Sequence, residues 1–273
     1  MKPINNIEQN TATENIAANA VSPVRTRNCP EVEQEQTPAT HRVGSPRLDS
    51  RTLLTIANPA VVRIVNPNDN LSHGTGTFIA PTKILTAAHV VAQIGANPKI
   101  YKGQHGNNLN PAPLTVASIA IHPKYDVNKY DSDYDLAVIT VTQQSANFYT
   151  PQSLSDNSPD LGDPFNSPYF WVGYPFDLEY NPETGAFTPN QYVDLGIPDA
   201  QIGDYRFMFT NYSFSGQSGS GLINQTTNRI SGSLYGGSRG GDDTGFTLLS
   251  KENYTFVQNQ MRNNGNFNGP LPL

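Results

Sequence analysis

The clearest predicted strand pair lies in residues 76–91, which read GTFIAPTKILTAAHVV. The apolar runs 76–80 and 83–86 flank Pro81 at the spacing of a hairpin. Outside this pair, similar short runs recur between Pro59 and Leu249, separated in most cases by turn residues. They are 61–65, 114–121, 136–141, 169–172, 206–210, 221–223, 230–234 and 246–249. Many short strands without long helical patterns predict an all-β sandwich or pair of barrels.

The two ends of the chain differ from this central part. Residues 1–41 are rich in Asn, Glu, Gln, Thr and Pro and contain no aromatic residue, which predicts a disordered leader or pro-segment. Ser250 is a candidate cap for one late helix, in which Tyr254, Val257 and Met261 share a face. The Asn-, Gly- and Pro-rich residues 263–273 then form a flexible tail. We therefore expect one folded domain, 42–262.

Composition excludes several functions. The 273 residues include 17 Lys and Arg against 23 Asp and Glu, a net charge of −6 that argues against a nucleic-acid partner. There is no apolar run of the roughly 18 residues that a membrane helix needs. The single cysteine, Cys29, permits neither an internal disulfide nor a four-cysteine metal site. We expect a monomer without a metal or cofactor.

His89 is the first candidate catalytic residue. It stands in Thr86-Ala87-Ala88-His89-Val90-Val91, directly after a predicted strand. The small residues before it allow tight backbone packing, which can hold the imidazole in one orientation, as a general base requires. The alternative is a structural or exposed histidine at a strand end.

Asp135 is the second candidate, because it immediately precedes the apolar run Leu136-Ala137-Val138-Ile139. A carboxylate at the mouth of a buried strand is costly unless a partner such as an imidazole N–H pairs with it. Alternatively, Asp131, Asp133 and Asp135 form a solvated acidic turn. A calcium loop is a third interpretation, but the glycine and glutamate spacing of an EF-hand is missing.

Ser218 lies in the third motif, Phe214-Ser215-Gly216-Gln217-Ser218-Gly219-Ser220-Gly221. Glycines on both sides of a serine permit a tight turn that exposes its hydroxyl and aims backbone N–H groups at one point. A flexible linker has a similar composition. An α/β-hydrolase elbow is disfavoured, because those enzymes place the histidine last and all five histidines here precede Ser218.

The order His89, Asp135, Ser218 resembles that of the trypsin- and chymotrypsin-like serine peptidases. Within them the chain is similar to the bacterial glutamyl endopeptidase and V8-like branch, on the segments TAAHVV, DLAVI, GQSGS, Gly173-Tyr174-Pro175 and Asp49-Ser50-Arg51-Thr52. The resemblance implies two six-stranded antiparallel β-barrels, an active site in the cleft between them, and a C-terminal helix. It makes Ser218 the nucleophile, His89 the general base and Asp135 its orienting carboxylate, with an oxyanion hole formed by the N–H groups of Gly216 and Ser218.

The resemblance weakens at the residues that set specificity. Leu234 stands where Glu-specific members carry a histidine, and it cannot donate a hydrogen bond to a substrate carboxylate. The residues expected to bind the substrate are Ser213, Leu234, Tyr235, Gly236 and Gly237. Asp242 and Asp243 follow in a Gly-rich loop and could reach the pocket. We therefore expect a neutral pocket that accepts small or apolar side chains and is not strictly specific for glutamate.

The function expected from the sequence is a secreted serine endopeptidase that acts on proteins or peptides and is made as a precursor. Arg25, Arg27 and Arg42 offer processing points. A catalytically silent relative that only binds partners is the main alternative. An esterase and an HtrA-type stress protease are further ones, although only about 20 residues follow the last strand, too few for a PDZ domain.

Overall fold

The structure is a computed structural model, and it describes residues 49–106, 108, 111–129, 131–154, 163–237 and 243–262. The expected leader 1–41, the tail 263–273 and Asp242 lie outside these residues. No helix in the described part of the chain is long and apolar enough to cross a membrane.

Short β-branched and aromatic runs build almost all of the described chain. The strands are β1 (Thr52–Leu53), β2 (Val61–Asn66), β3 (Asp69–Ala80), β4 (Lys83–Thr86), β5 (Lys99–Lys102), β6 (Val116–Ile121), β7 (Ala137–Val141), β8 (Tyr169–Gly173), β9 (Tyr180–Asn181), β10 (Ala186–Phe187), β11 (Tyr192–Gly196), β12 (Ala200–Ile202), β13 (Arg206–Phe209), β14 (Gly221–Asn224), β15 (Arg229–Gly236) and β16 (Thr244–Leu248). The helices are α1 (Ala88–Ile94), α2 (Phe176–Glu179) and α3 (Lys251–Arg262).

The first sheet has six strands in the order β5-β2-β3-β4-β7-β6, and all neighbouring strands are antiparallel. Its inner faces are covered by apolar side chains such as Ile64, Phe78, Ile84 and Ile139, which are at most 1% exposed. Removing these side chains from water is the main favourable term in forming this half of the fold.

The second sheet is also antiparallel and runs in the order β1-β11-β8-β14-β15-β16-β13-β12. It has eight strands where six were expected, because two short edge strands extend it: β1 pairs with β11, and β12 pairs with β13. A separate aromatic core lies against it, centred on Trp171, whose ring lies 5.1 Å from both Phe209 and Phe246. Strands β9 and β10 form an additional two-stranded hairpin.

The all-β prediction, with two antiparallel sheets and a C-terminal helix, is confirmed. Each strand predicted from the sequence is present, although β3 begins at Asp69, well before the predicted run 76–80. Strands β1, β5, β9, β10, β11 and β12 were not predicted. The late helix is present as α3, but the expected cap is wrong. The Ser250 hydroxyl donates to the Asp204 carbonyl oxygen, so it is turned away from the helix N–H groups.

Candidate active site

The pairing of β4 with β7 brings His89 and Asp135 together. Thr86 lies opposite Ala137 in this antiparallel pair, so the chain that leaves β4 runs beside the chain that enters β7. His89 Nδ1 lies 2.6 Å from Asp135 Oδ2, and the His89 backbone N–H donates to Asp135 Oδ1 at 2.8 Å. A neutral imidazole that donates from Nδ1 leaves the lone pair of Nε2 facing away from the carboxylate.

Asp135 is 5% exposed, and both of its carboxylate oxygens accept a hydrogen bond from His89. The Asp135 carboxylate therefore pairs with His89 and is not part of a solvated acidic turn. His89 is the second residue of α1, so the expectation of a histidine at a strand end is replaced by a first-turn helical position.

The Ser218 loop is held against the first sheet by β3. The Thr75 N–H donates to the Ser218 carbonyl oxygen at 2.8 Å, and the Thr75 hydroxyl donates to the Gly216 carbonyl oxygen at 2.7 Å. Gly216 and Gly219 have φ values of 93° and 90°, in the region that favours glycine. A Cβ at Gly219 would lie 2.0 Å from the Thr75 carbonyl oxygen, so only glycine fits there.

The same loop leaves two backbone N–H groups available. Among the backbone hydrogen bonds of the described residues, neither Gly216 N–H nor Ser218 N–H has an acceptor. The Ser215 carbonyl accepts from Phe176, and the Gln217 carbonyl accepts from Ser220. Because the N–H and C=O of a trans peptide point in opposite directions, these two contacts turn the N–H groups of Gly216 and Ser218 outwards.

His89, Gly216 and Ser218 line one open cavity of about 350 Å³. Two segments that are distant in sequence therefore meet at one surface, with the imidazole, the serine and the free N–H groups around a common space. A reacting carbonyl group at this place would have a base, a nucleophile and hydrogen-bond donors within reach.

The five residues expected to bind the substrate do not play the same role. Ser213 and Gly237 are neighbours, since a Cβ at Gly237 would lie 2.8 Å from the Ser213 hydroxyl oxygen. Leu234 differs from expectation: it is 1% exposed and its side chain packs in the second core, so it presents no side-chain surface to a ligand. Tyr235 is half-buried, with its hydroxyl 3.1 Å from Met208 Sδ, and Gly236 is half-buried beside it.

Arg51 forms a buried charge cluster next to the serine loop. Its side chain is fully buried and makes paired hydrogen bonds to the carboxylates of Asp49 and Asp177, at 2.6 to 3.2 Å. It also donates to Gln217 Oε1 at 3.2 Å, and that oxygen accepts from the Phe214 N–H at 3.0 Å. Burial opposes the charge on the guanidinium, but the hydrogen bonds to Asp49 and Asp177 raise the pKa of Arg51 above its ordinary value.

Sequence reasoning did not identify the structural role of Arg51, Asp177 or Gln217. Arg51 and Asp49 were visible as part of a family segment, but Asp177 is 126 positions away from Arg51. His73 was also missed; it contacts the same loop, since a Cβ at Gly216 would lie 2.4 Å from His73 Nε2.

Asp194 is a buried carboxylate behind this cluster, 2% exposed. Burial raises the pKa of Asp194 from 3.8 to about 6, against the lowering effect of hydrogen bonds from Leu195, Ser50 and Asn211. Because the pKa of Asp194 is higher in the folded state than in the unfolded state, the free energy of unfolding falls as the pH rises from about 4 to about 6. Above that pH, the decrease stays constant.

Asp194→Asn is therefore expected to stabilise the protein at pH 8, by at most about 3 kcal/mol at 1.36 kcal/mol per pKa unit, and to have little effect near pH 4. The amide keeps the oxygen that accepts from Leu195 and Asn211. Urea unfolding at the two pH values measures the difference, with Asp131→Asn on a half-exposed turn as the control. A variant that is equally destabilised at both values would contradict the assignment.

No group of three or more His, Cys, Asp or Glu side chains able to hold a metal ion occurs in the described part of the chain.

The family model of the trypsin-like peptidase domain matches residues 74–232, more than half of the chain. The chain belongs to this family of peptidases. The match contains His89 and Ser218, which line one cavity, and Asp135, which lies against His89.

Two solved structures show the same fold. One is a Glu endopeptidase in complex with MPD, with 23% identity, a TM-score of 0.62, and coverage of 78% of this chain and 96% of that one. The other is the Vibrio cholerae VesB protease, with 17% identity, a TM-score of 0.56, and coverage of 77% and 67%. At these identities the likeness concerns the fold. A comparison with curated protein sequences gives no significant match.

Proposed function

We propose that this chain is a serine endopeptidase in which Ser218, His89 and Asp135 form the catalytic triad. The observation that carries the proposal is the 2.6 Å contact between His89 Nδ1 and Asp135 Oδ2, beside a cavity that His89 shares with Ser218. A histidine oriented by a buried carboxylate is the arrangement that activates a serine hydroxyl.

In the proposed mechanism, Ser218 Oγ attacks the scissile carbonyl carbon while His89 Nε2 takes the hydroxyl proton. Asp135 stabilises the imidazolium that forms and stays ionised. The tetrahedral intermediate then collapses: the carbon–nitrogen bond breaks, and His89 transfers its proton to the leaving amine. Water then attacks the acyl-enzyme ester and gives a proton to His89. The bond between the acyl carbon and Ser218 Oγ breaks, His89 returns the proton to Oγ, and the acid leaves.

The negative charge of the tetrahedral oxygen needs fixed donors. The free N–H groups of Gly216 and Ser218 are the donors that we assign to it, because neighbouring carbonyl contacts set their direction before a substrate binds.

We further propose that the acyl-side pocket is neutral and that the enzyme is not strictly Glu-specific. The Ser213 hydroxyl and Gly237 supply its wall, and the buried Leu234 supplies no donor for a carboxylate. A cleavage profile on a denatured proteome is expected to show small or apolar residues before the cut. A profile dominated by glutamate would overturn this part of the proposal.

The proposal also covers the domain boundaries of the chain, its secretion and its processing. It assigns 42–262 to a peptidase domain of the V8-like branch, acting as a secreted monomer, and 1–41 to a removable pro-segment. Intact-mass analysis after incubation is expected to show the loss of about forty residues, a length that follows from the domain boundary. An active product of full length would contradict the pro-segment.

The decisive experiment is labelling with a fluorophosphonate probe, followed by peptide mapping. Covalent modification is expected at Ser218 in the native protein, because only an activated serine hydroxyl reacts at an appreciable rate. Heat-denatured protein and Ser218→Ala serve as controls and are expected to remain unlabelled. An unlabelled native protein would favour the silent binding relative instead.

A further inference from the structure

The Asp loop, residues 131–134, directly precedes the carboxylate of the proposed triad and is held by side chains from distant parts of the chain. The Thr247 hydroxyl in β16 donates to the Ser132 carbonyl oxygen at 2.7 Å. Asn253 Nδ2 in α3 donates to the Asp133 carbonyl oxygen at 2.8 Å. Two successive carbonyl groups of this loop therefore find their donors 115 and 120 positions further along the chain.

Asn253 is a donor with a fixed direction. It is fully buried, and its Nδ2 group also donates to the Leu248 carbonyl oxygen at 2.9 Å. The amide thus bridges the end of β16 and the Asp loop. Helix α3 is itself anchored by Phe256, Val257 and Met261, which are buried in the same apolar core as the first sheet. A buried amide on an anchored helix fixes the carbonyl group that it binds, because moving that group would leave both without a partner.

The preceding residue of α3 binds the same loop through a side chain. The Tyr134 hydroxyl donates to Glu252 Oε1 at 3.0 Å, and Lys124 Nζ donates to the same oxygen at 2.5 Å. The Tyr134 ring is stacked on His122 at 5.1 Å and lies 5.4 Å from the Tyr205 ring. Hydrogen bonds from Lys124 and then Tyr134 lower the pKa of Glu252 to about 2, so this acceptor is charged at neutral pH.

The direction of the Asp135 carboxylate depends on the backbone on both sides of it. After Asp135, the chain is fixed by the pairing of Ala137 with Thr86 in the first sheet. Before Asp135, the support comes from the Asp loop and its bonds to β16 and α3. Both carboxylate oxygens accept from His89, at 2.8 and 2.6 Å, so a rotation of the backbone here would disturb both hydrogen bonds together.

We infer that Asn253 is a positioning residue for catalysis, which holds the Asp loop so that the Asp135 carboxylate keeps both hydrogen bonds to His89. The Tyr134–Glu252 contact is the second support from the same helix. The inference rests on the proposed function, in which His89 is the base, and it extends the catalytic unit to the C-terminal helix. A misplacement of about 1 Å costs up to about 100-fold in rate, whereas substrate binding depends on other surfaces.

Asn253→Ala tests this role in the full chain. It leaves two carbonyl oxygens without their donor, and is expected to lower kcat for a peptide by about tenfold while KM changes by less than about twofold. Asn224→Ala is the matched control. Asn224 is also fully buried, and its side chain also binds two backbone groups, the N–H groups of Thr226 and Thr227 in the β14–β15 turn. This control is expected to lower the thermal stability to a similar extent and to keep kcat.

A double-mutant cycle separates positioning from general support of the fold. In an Asp135→Asn background the carboxylate that Asn253 positions is absent, so Asn253→Ala is expected to lower kcat by less than about twofold further. A purely structural role would lower kcat by the same factor in both backgrounds. Proton NMR gives a readout without turnover, since the proton between His89 Nδ1 and Asp135 lies in a short charge-assisted hydrogen bond and is strongly deshielded. Asn253→Ala is expected to shift or broaden its signal, and Asn224→Ala to leave it unchanged.

Tyr134→Phe covers the case in which Asn253→Ala does not fold. It removes the hydroxyl that donates to Glu252, at a half-buried position, and is expected to lower kcat by about threefold. Tyr192→Phe is its control, because it removes a similar hydrogen bond to the carboxylate of Glu179, at 2.5 Å, and is expected to keep kcat.

The outcomes separate this inference from the proposed function. A folded Asn253→Ala protein with normal kcat, or with an equal loss in both backgrounds, would overturn the positioning role and leave the peptidase assignment intact. If that variant is unfolded, equal kcat values for Tyr134→Phe and Tyr192→Phe would overturn it. Cleavage that survives Ser218→Ala would overturn the proposed function, and an unchanged NMR signal in Asn253→Ala would then overturn the positioning role as well.

Discussion

Asp135→Asn is expected to leave the chain folded and to lower kcat by about 10⁴-fold, as loss of the correct imidazole tautomer does in a Ser-His-Asp triad. Asp135 Oδ1 accepts the His89 backbone N–H, so an asparagine must keep its oxygen at this place. Its NH₂ group then faces His89 Nδ1, which has to accept a hydrogen bond. The ring proton moves to Nε2, and the histidine can no longer take the Ser218 proton.

The measurement is steady-state hydrolysis of a peptide together with thermal unfolding. Ser218→Ala is expected to lose about 10⁶-fold in kcat, because it removes the nucleophile itself. Asp131→Asn is the matched control, since the Asp131 carboxylate accepts the Asp133 backbone N–H within its own turn and asparagine can do the same. Asp135→Asn with more than a tenth of normal activity would contradict the assigned role of the carboxylate.

Arg51→Met has the second large expected effect: a loss of about 3 kcal/mol in the free energy of unfolding, at the lower end for breaking a buried ion pair. The fully buried guanidinium disappears, and the carboxylates of Asp49 and Asp177 lose their partner. The loss is moderated because these two side chains are 35% and 22% exposed and can regain water.

The same variant is expected to lower kcat by about tenfold with little change in KM, because Gln217 loses one of the donors that hold its side chain beside Ser218. Lys129→Met is the control, as it removes an exposed pair with Asp126 and is expected to cost under about 1 kcal/mol. Adding Asp177→Asn to Arg51→Met is expected to restore part of the stability. An Arg51→Met protein with normal stability would show that the cluster makes no net contribution to the free energy of unfolding.

The local signals in the sequence predicted the fold class and the three candidate catalytic residues. Strands such as 83–86 were recognisable because β-branched and apolar runs between turn residues have few other stable conformations. His89, Asp135 and Ser218 were recognisable because each is flanked by small or apolar residues that such a role requires.

Short strands with mixed composition were less visible. Strand β11 contains the buried Asp194, and β9 and β10 have only two residues each, so none shows a clear alternation. Their strand conformation depends on pairing with distant partners, such as Trp171 opposite Asp194. Pairing across the sheet overrides local propensity at these positions.

Patterns of neighbouring residues were sufficient to predict an all-β fold and to name a serine, a histidine and an aspartate as candidates, because strand formation and motif spacing are local properties. The peptidase class was implied by the resemblance of these motifs to a known family. Contacts between distant segments required the folded chain. The Arg51 cluster joins residues up to 166 positions apart, Leu234 turned inwards to the core, and Leu71 and Phe176 came to line the cavity at Ser218. Burial and charge pairing depend on which surfaces the folded sheets bring together, and that information is not contained in any single stretch of sequence.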